Sequence, residues 1–133
     1  DTKRQATNDG YVETLFGRRR SFPNLQRGQY ANKQAIQGEQ RAAVNMPIQG
    51  TAADIMKRAM IDLYVELGQS KLAALMILQV HDEIVLEVPE NELDETRDLV
   101  VRVFEDAYQM DAVLKANAEA GPNWRDMVSV KSK

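Results

Sequence analysis

The 133-residue sequence predicts an α+β fold, with a mostly antiparallel sheet and helices packed on one face of it. Three observations support this prediction. Residues 11–16 are rich in β-branched and aromatic side chains, and residues 73–80 and 84–88 are two apolar runs with only three residues between them. Residues 52–67 and 91–108 carry apolar side chains at the spacing of amphipathic helices.

The first part of the sequence indicates the end of a helix followed by a hairpin. Residues 1–9 are polar and resemble a helix whose beginning is missing. The strand at 11–16 follows, and the basic triplet at 18–20 closes it. Residues 21–24 are expected to form a turn or the returning arm of a hairpin.

The middle of the sequence predicts two helices. Residues 29–44 have a weak helical pattern, and we expect Pro47 to interrupt it because proline disfavours a helical residue before it. A stronger helix then begins near Thr51, which resembles a capping-box residue, and Gly68 is a plausible stop.

The last part of the sequence predicts a buried hairpin, a helix and a strand. The apolar runs at 73–80 and 84–88 are typical of two buried strands joined by a tight turn. A helix is expected at 91–108, and residues 113–120 alternate like a half-exposed strand. The length is sufficient for one compact domain. We expect that domain to span residues 1–127, with a disordered tail at 128–133.

Composition excludes several functional classes. The chain has no cysteine, so it has no disulfide, thiolate metal site or cysteine nucleophile. Its apolar runs are about half the ~20 residues that a membrane span needs, and residues 1–10 lack the apolar core of a signal peptide. The expected location is therefore a reducing compartment without membrane attachment.

Charge is distributed unevenly within the net charge of −3. Residues 1–46 hold eight basic and four acidic side chains, which leaves nine basic and sixteen acidic ones in the rest. This asymmetry fits a polyanion held by the basic part, with acids elsewhere facing water or holding a cation. Ordinary solvated charge is the alternative explanation.

Three ionisable residues, His81, Asp82 and Glu83, separate the two apolar runs. Carboxylates in apolar surroundings are costly unless a partner compensates, and a divalent cation is one such partner. Neighbouring residues on a strand point to opposite faces, so we expect one strong ligand, and one Asp is at most half of a Mg²⁺ site. The alternative is that Asp82 and Glu83 are turn residues and that His81 has a structural role.

Two further sets of residues indicate contacts with nucleic acid. Arg41, Asn45 and Gln49 are spaced at four and would lie along one face of a continuous helix. Amide side chains suit the minor groove, whose purine N3 and pyrimidine O2 acceptors occur in every base pair. The triplet Arg18, Arg19 and Arg20 could hold phosphates. A solvated helix face and an exposed basic turn are the alternatives.

Three blocks, at residues 10–20, 41–57 and 79–83, resemble the C-terminal palm segment of family A DNA polymerases, the bacterial DNA polymerase I type. They occur in the order and at about the spacing of that family. The resemblance implies a fragment of a DNA-directed DNA polymerase, whose parent transfers nucleotides from dNTP to a primer 3′ hydroxyl with two Mg²⁺ ions.

The resemblance also implies roles for individual residues. Asp82 is similar to the second metal-binding aspartate of the palm, Glu83 to the adjacent supporting acid, and His81 to a residue that steadies the primer terminus. Arg41, Asn45 and Gln49 match residues that contact the primer-template, and Arg18, Arg19 and Arg20 match a basic turn near the duplex backbone.

The family's first catalytic aspartate and its fingers segment have no counterpart in this sequence. We therefore expect the chain to be part of a longer polymerase that supplies these elements, and to be inactive and a weak Mg²⁺ binder by itself. The resemblance implies a location in the bacterial cytoplasm with the nucleoid, or in an organelle. The competing hypothesis is a non-catalytic α+β nucleic-acid-binding module.

Overall fold

The computed structural model describes residues 2–130. Within it the chain divides into two compact units, with the boundary between Asp54 and Ile55. The sequence predicts a single compact domain, so the division is a finding of the structure. One long helix runs across the boundary.

The first unit contains two short helices and a hairpin, followed by the first part of the long helix. Its elements are α1 (Thr2–Asn8), β1 (Tyr11–Glu13), β2 (Arg19–Ser21) and α2 (Pro23–Arg27), with a 3-10 turn at Gly28–Tyr30. β1 and β2 pair in antiparallel fashion, with Val12 opposite Arg20. The helix and hairpin lie where the sequence predicts them, although β1 ends at Glu13 rather than at residue 16.

The long helix, α3 (Lys33–Gln69), is continuous through Pro47. The predicted interruption at Pro47 and the predicted helix start at Thr51 are therefore wrong. A proline in a helix interior removes one backbone hydrogen bond and costs about 3 kcal/mol. Ala43 and Met46 before the proline and Thr51 after it are at most 6% exposed. Their burial offsets the cost and keeps the helix in one piece.

Apolar side chains from α1, β1, α2 and α3, together with Phe22 after β2, form one buried cluster. Its members are Ala6, Val12, Phe22, Leu25, Ala43 and Met46, with Ile36 and Ala42 packed against it. Val12 and Phe22 are each 1% exposed. Burying a side chain of this kind contributes about 1.5–3 kcal/mol. The cluster therefore holds the β1–β2 hairpin against the first part of α3.

The second unit contains the rest of α3, a hairpin, a helix and a terminal hairpin. Its elements are β3 (Leu75–Val80), β4 (Glu83–Glu87), α4 (Leu93–Asp106), β5 (Ala118–Ala120) and β6 (Val128–Val130), with a 3-10 turn at Glu90–Glu92. The end of α3 at Gln69 agrees with the predicted stop at Gly68 to within one residue.

The β3–β4 hairpin corrects the prediction of two buried strands. The strands pair from Val80–Glu83 to Leu75–Glu87, with a bulge between Met76 and Leu78. Leu75 is 63% exposed and Ile77 is 58% exposed. An apolar run indicates that a strand is stabilised by burial against other elements. The elements within residues 2–130 bury little of β3.

Charged contacts as well as apolar burial hold α4. Val103 is 4% exposed. The Arg102 guanidinium donates to the Glu66 carboxylate of α3 at 2.5 Å, and the backbone amide of Ala73 donates to Glu92 Oε2 at 2.7 Å. The residue before α4 and the C-terminal half of α4 are thereby tied to neighbouring parts of the second unit.

The structure of the C-terminal residues differs from two further predictions. The predicted strand at 113–120 is limited to Ala118–Ala120. β6 pairs with β5, with Val130 opposite Ala118, so residues 128–130 form a strand rather than part of a disordered tail. The remaining tail residues, 131–133, lie outside the described residues.

The α+β prediction is confirmed, and every strand pair within residues 2–130 is antiparallel. The strands form three separate two-stranded sheets rather than one sheet. No helix in this part of the chain combines the length and apolar character needed to cross a bilayer.

Candidate nucleic-acid interface and carboxylate turn

The three arginines of the basic triplet lie in different environments. Arg18 directs its guanidinium at α3, where Nε donates to Asp54 Oδ1 at 2.8 Å and an Nη atom donates to the Gly50 carbonyl at 3.0 Å. Arg19 donates to Glu13 across the hairpin at 2.5 Å, and its Cζ lies 4.4 Å from the centre of the Tyr11 ring. The triplet is therefore not a uniform basic surface.

Arg19 and Arg20 lie on the exposed strand β2. The Cζ of Arg20 is 5.6 Å from the centre of the Phe22 ring. An arginine that stacks on an aromatic ring keeps most of its N–H donors available to a phosphate. The structure leaves both side chains accessible to an anion.

Arg41, Asn45 and Gln49 lie along one stripe of α3, because the helix is continuous and the three positions are four residues apart. All three residues are exposed. Within residues 2–130 their side chains make no hydrogen bond or ion pair. The geometry that the sequence predicts for them is present, and Pro47 does not disrupt it.

His81 and Asp82 form the turn between β3 and β4, and Glu83 is the first residue of β4. All three are exposed. His81 has a backbone φ of 52°, in the left-handed region that few residues other than glycine adopt, and its carbonyl accepts a hydrogen bond from Gln79 Nε2 at 2.6 Å. The turn presents the Asp82 carboxylate at the end of the hairpin.

The described residues do not form a complete divalent-cation site. Within residues 2–130 no group of three or more His, Asp or Glu side chains is close enough to hold a metal ion. Mg²⁺ needs several oxygen ligands in near-octahedral geometry, so the acids of the β3–β4 turn fit one part of such a site and not the whole.

The predicted site residues divide between the two compact units. Arg18, Arg19, Arg20, Arg41, Asn45 and Gln49 belong to the first compact unit, and His81, Asp82 and Glu83 belong to the second. Arg18 contacts the turn of α3 that follows Gln49. The three residues of the β3–β4 turn are adjacent in sequence and in space.

Sequence reasoning missed Thr14 and misread Thr51. Thr14 Oγ1 accepts a hydrogen bond from the Arg18 amide at 3.1 Å, and Thr51 Oγ1 accepts one from the Leu15 amide at 3.1 Å. Thr51 and Asp54 have the spacing of a capping box. Their partners lie 36 residues away, so local sequence gave no indication of this arrangement.

Comparison with known proteins places the chain in a family. The model of DNA polymerase family A matches residues 1–126. The chain is 46% identical over 123 residues to the thermostable DNA polymerase I of Thermus filiformis, covering 92% of this chain and 14% of that protein. It is 41% identical over 126 residues to DNA polymerase I of Bacillus subtilis strain 168, covering 95% of this chain and 14% of that protein.

A solved structure gives the same result. The chain is similar to the POL domain of Pol1 from M. smegmatis, determined in complex with DNA primer-template and dNTP. The TM-score is 0.80 at 43% sequence identity, and the match covers 86% of this chain and 20% of that one. The chain thus spans about one seventh of the length of the curated relatives that it matches. It belongs to DNA polymerase family A.

Proposed function

We propose that the chain is a segment of a DNA-directed DNA polymerase, an enzyme that extends a primer on a DNA template by transferring nucleotides from dNTP to the primer 3′ hydroxyl. The observation that carries this proposal is the similarity to a polymerase domain solved with primer-template and dNTP, at a TM-score of 0.80 and 43% identity. The partners of the polymerase are accordingly primer-template DNA and dNTP.

In this proposal the β3–β4 turn contributes to the catalytic centre. Asp82 supplies one carboxylate ligand to a divalent-cation site, with Mg²⁺ as the expected ion. Glu83 supports that site, and His81 steadies the primer terminus. Support comes from the position of all three residues at an exposed turn, where a substrate can reach them. Two such ions would activate the primer hydroxyl and stabilise the charge of the departing pyrophosphate.

The remaining ligands of that site have to come from outside the described residues, because one acidic turn cannot hold the ions. We therefore expect the 133-residue chain to have no polymerase activity by itself. Its contribution depends on other segments of the polymerase, including a second carboxylate and the residues that hold the incoming nucleotide.

The first unit contributes contacts to the primer-template. The exposed stripe of Arg41, Asn45 and Gln49 is suited to the minor groove, where amide and guanidinium donors meet acceptors that every base pair presents. Arg19 and Arg20 are suited to the phosphate backbone through charge-assisted hydrogen bonds. Such contacts bind the duplex without selecting its sequence, as a polymerase requires.

A location in the bacterial cytoplasm, where chromosomal DNA is found, follows from this proposal. Its support is that the relatives named above are bacterial proteins called DNA polymerase I.

Replacement of the matching segment in a relative tests the proposal. The chain is substituted for the corresponding stretch of the Bacillus subtilis polymerase, and primer extension is measured on a primed DNA template with dNTPs and Mg²⁺. We expect the chimera to extend the primer and the 133-residue chain alone to leave it unchanged. A correctly folded chimera with no extension activity would contradict the proposal. Extension by the chain alone would contradict its dependence on other segments.

The same experiment separates a polymerase segment from a non-catalytic nucleic-acid-binding module. A binding module would hold duplex DNA without metal and would not restore extension to the chimera. Extension that needs both Mg²⁺ and this segment supports the polymerase.

A further inference from the structure

The turn of the β1–β2 hairpin is bonded directly to one turn of α3. Arg18 donates to the Gly50 carbonyl at 3.0 Å and to Asp54 Oδ1 at 2.8 Å. The Leu15 amide donates to Thr51 Oγ1 at 3.1 Å. Three hydrogen bonds thus join a five-residue turn to a five-residue stretch of helix. We call this set of contacts the turn–helix clamp.

The turn is itself ordered before it meets the helix. Thr14 Oγ1 accepts from the Arg18 amide at 3.1 Å, and the Thr14 amide donates to the Arg18 carbonyl at 3.0 Å. The Gly17 amide donates to the Thr14 carbonyl at 2.9 Å, and Gly17 has a φ of 79°, which a glycine adopts without steric cost. The backbone of Arg18 is therefore fixed, which limits where its guanidinium can reach.

Packing around the clamp is tight. Thr14 is 5% exposed and Thr51 is 6% exposed, and the Asp54 side chain is 10% exposed. A Cβ atom added at Gly50 would lie 2.7 Å from Thr14 Cγ2 and 3.3 Å from an Arg18 nitrogen. The hairpin thus approaches the α3 backbone at a place where only a glycine leaves room.

The clamp lies beside the stripe that we propose contacts the primer-template. Gly50 follows Gln49 directly, and Asn45 is one helical turn before Gln49. Pro47 lies between them and has no N–H to donate to the Ala43 carbonyl, so α3 lacks one backbone hydrogen bond at this point. The three bonds of the clamp reach α3 just after this proline.

We propose that Arg18 is a positioning residue, which holds the Gly50–Asp54 turn of α3 and so fixes where Gln49 and Asn45 meet the DNA. It acts through α3 rather than by holding a phosphate, in contrast to Arg19 and Arg20. This inference deepens the proposed function and rests on it. The turn–helix clamp then aligns the minor-groove contacts with the primer end.

Hydrogen exchange on the 133-residue chain tests the clamp without any DNA. In Arg18→Ala we expect faster exchange of the helix amides from Gly50 to Asp54, and in Asp54→Asn a smaller change at the same amides. The matched control is Arg58→Ala, which removes another arginine–aspartate pair on α3, at 2.8 Å to Asp62. It should leave exchange at residues 50–54 unchanged. Unchanged exchange in Arg18→Ala would show that the clamp does not hold this turn of α3 and would overturn the inference.

Single-turnover incorporation in the chimera described above tests the positioning role. Loss of charge-assisted bonds that align the contact residues should lower the incorporation rate at saturating DNA by about tenfold in Arg18→Ala. Arg18→Lys should recover part of that loss, because an ammonium can reach one of the two acceptors but not both. Arg58→Ala should keep the rate of the unmodified chimera.

Salt dependence distinguishes positioning from phosphate binding. A residue that neutralises one phosphate changes the slope of log affinity against log salt concentration by about one, and Arg19→Ala serves as the comparison for that effect. Arg18→Ala should keep the original slope. A reduced slope with an unchanged rate would make Arg18 a phosphate ligand and overturn the inference.

A double-mutant cycle completes the test. Arg18→Ala and Gln49→Ala should be non-additive in the incorporation rate, because both remove the same alignment. Additive effects would overturn the inference while leaving the proposed function intact. An inactive but folded unmodified chimera would instead contradict the proposed function itself, so the two failures are distinguishable.

Discussion

Leu15 and Thr51 are 36 residues apart in the sequence, and the backbone amide of Leu15 donates a hydrogen bond to Thr51 Oγ1 at 3.1 Å. The hydroxyl comes from the middle of α3 and the amide from the hairpin turn. Thr51 is 6% exposed, so the bond forms where water has little access to the acceptor. Residues distant in sequence thus hold together the first compact unit.

Thr51→Val should lower the free energy of unfolding of the chain by about 1 kcal/mol, because the Leu15 amide loses its acceptor while the side-chain volume is kept. Urea denaturation of the 133-residue chain measures this. Thr7→Val is the control, since the Thr7 hydroxyl bonds on the exposed surface of α1 and its loss should change stability by less than about 0.5 kcal/mol. A Thr51→Val chain as stable as the original would show that this bond contributes nothing.

Two glycines of α3 should respond in opposite directions to replacement by alanine. Gly50→Ala places a methyl group 2.7 Å from Thr14 Cγ2, and we expect a net loss of about 1 kcal/mol after the gain in helix propensity. Gly38 has nothing within 4 Å of an added Cβ, so Gly38→Ala should stabilise the chain by about 0.5–1 kcal/mol. Denaturation midpoints of the two variants and of the original chain measure both effects. Equal shifts in the same direction would contradict the close approach at Gly50.

The Glu66–Arg102 pair predicts a pH dependence of stability. A hydrogen bond from Arg102 is the main reason that the pKa of Glu66 lies below its ordinary value of 4.5. A carboxyl with a lowered pKa in the folded state stabilises the fold above its ordinary value, and the contribution is lost as the pH falls through the lowered pKa. Stability should therefore decline in the acid range below pH 4.5.

Glu66→Gln should remove part of that acid decline, because glutamine does not titrate. Urea midpoints taken at several pH values from about 3 to 7 measure it. Arg102→Gln, which removes the donor of the same pair, should reduce the acid decline in the same way. If the stability of Glu66→Gln fell at acid pH as much as that of the original chain, the pair would contribute nothing to the pH dependence of stability.

Gln49→Ala tests the minor-groove stripe in the chimera. Loss of a hydrogen bond to a base edge should cost about 1–3 kcal/mol, which appears as roughly 5- to 150-fold weaker binding of the primer terminus or slower incorporation. Gln69→Ala, at the exposed last residue of the same helix and outside the stripe, is the control and should behave like the unmodified chimera. Unchanged affinity and unchanged rate in Gln49→Ala would remove this residue from the interface.

Much of the fold could be predicted because it depends on local sequence. The β-branched and aromatic residues after Gly10 predict β1, and the three polar residues between two apolar runs predict the β3–β4 turn. The helical spacing of 91–108 likewise predicts α4. In each case the pattern that forms the element lies within the element itself.

The remainder depends on contacts that local sequence does not contain. Pro47 indicates a helix break, and the burial of Ala43, Met46 and Thr51 overrides it. The contact of Arg18 with α3 depends on Asp54, 36 residues away. The exposure of β3 could not be predicted either. An apolar run indicates that burial is favourable, but it does not show whether neighbouring elements bury the strand.

Candidate site residues divide in the same way. The four-residue spacing of Arg41, Asn45 and Gln49 was enough to place them on one helix face once the helix was continuous. The adjacency of His81, Asp82 and Glu83 fixed their common location. The difference between Arg18 and its neighbours could not be predicted, because three consecutive arginines look alike until their partners are known.

We propose that Asp82 is a ligand of the catalytic metal ion, and the rate of a single nucleotide incorporation by the chimera tests this role most directly. Asp82→Ala should abolish incorporation while primer-template affinity stays within about threefold, because loss of a metal ligand and loss of phosphate contacts are separable. Glu87→Ala, which removes an exposed carboxylate at the other end of the same hairpin, should retain the original rate. Undiminished incorporation by Asp82→Ala would show that Asp82 is not a ligand of the catalytic metal ion.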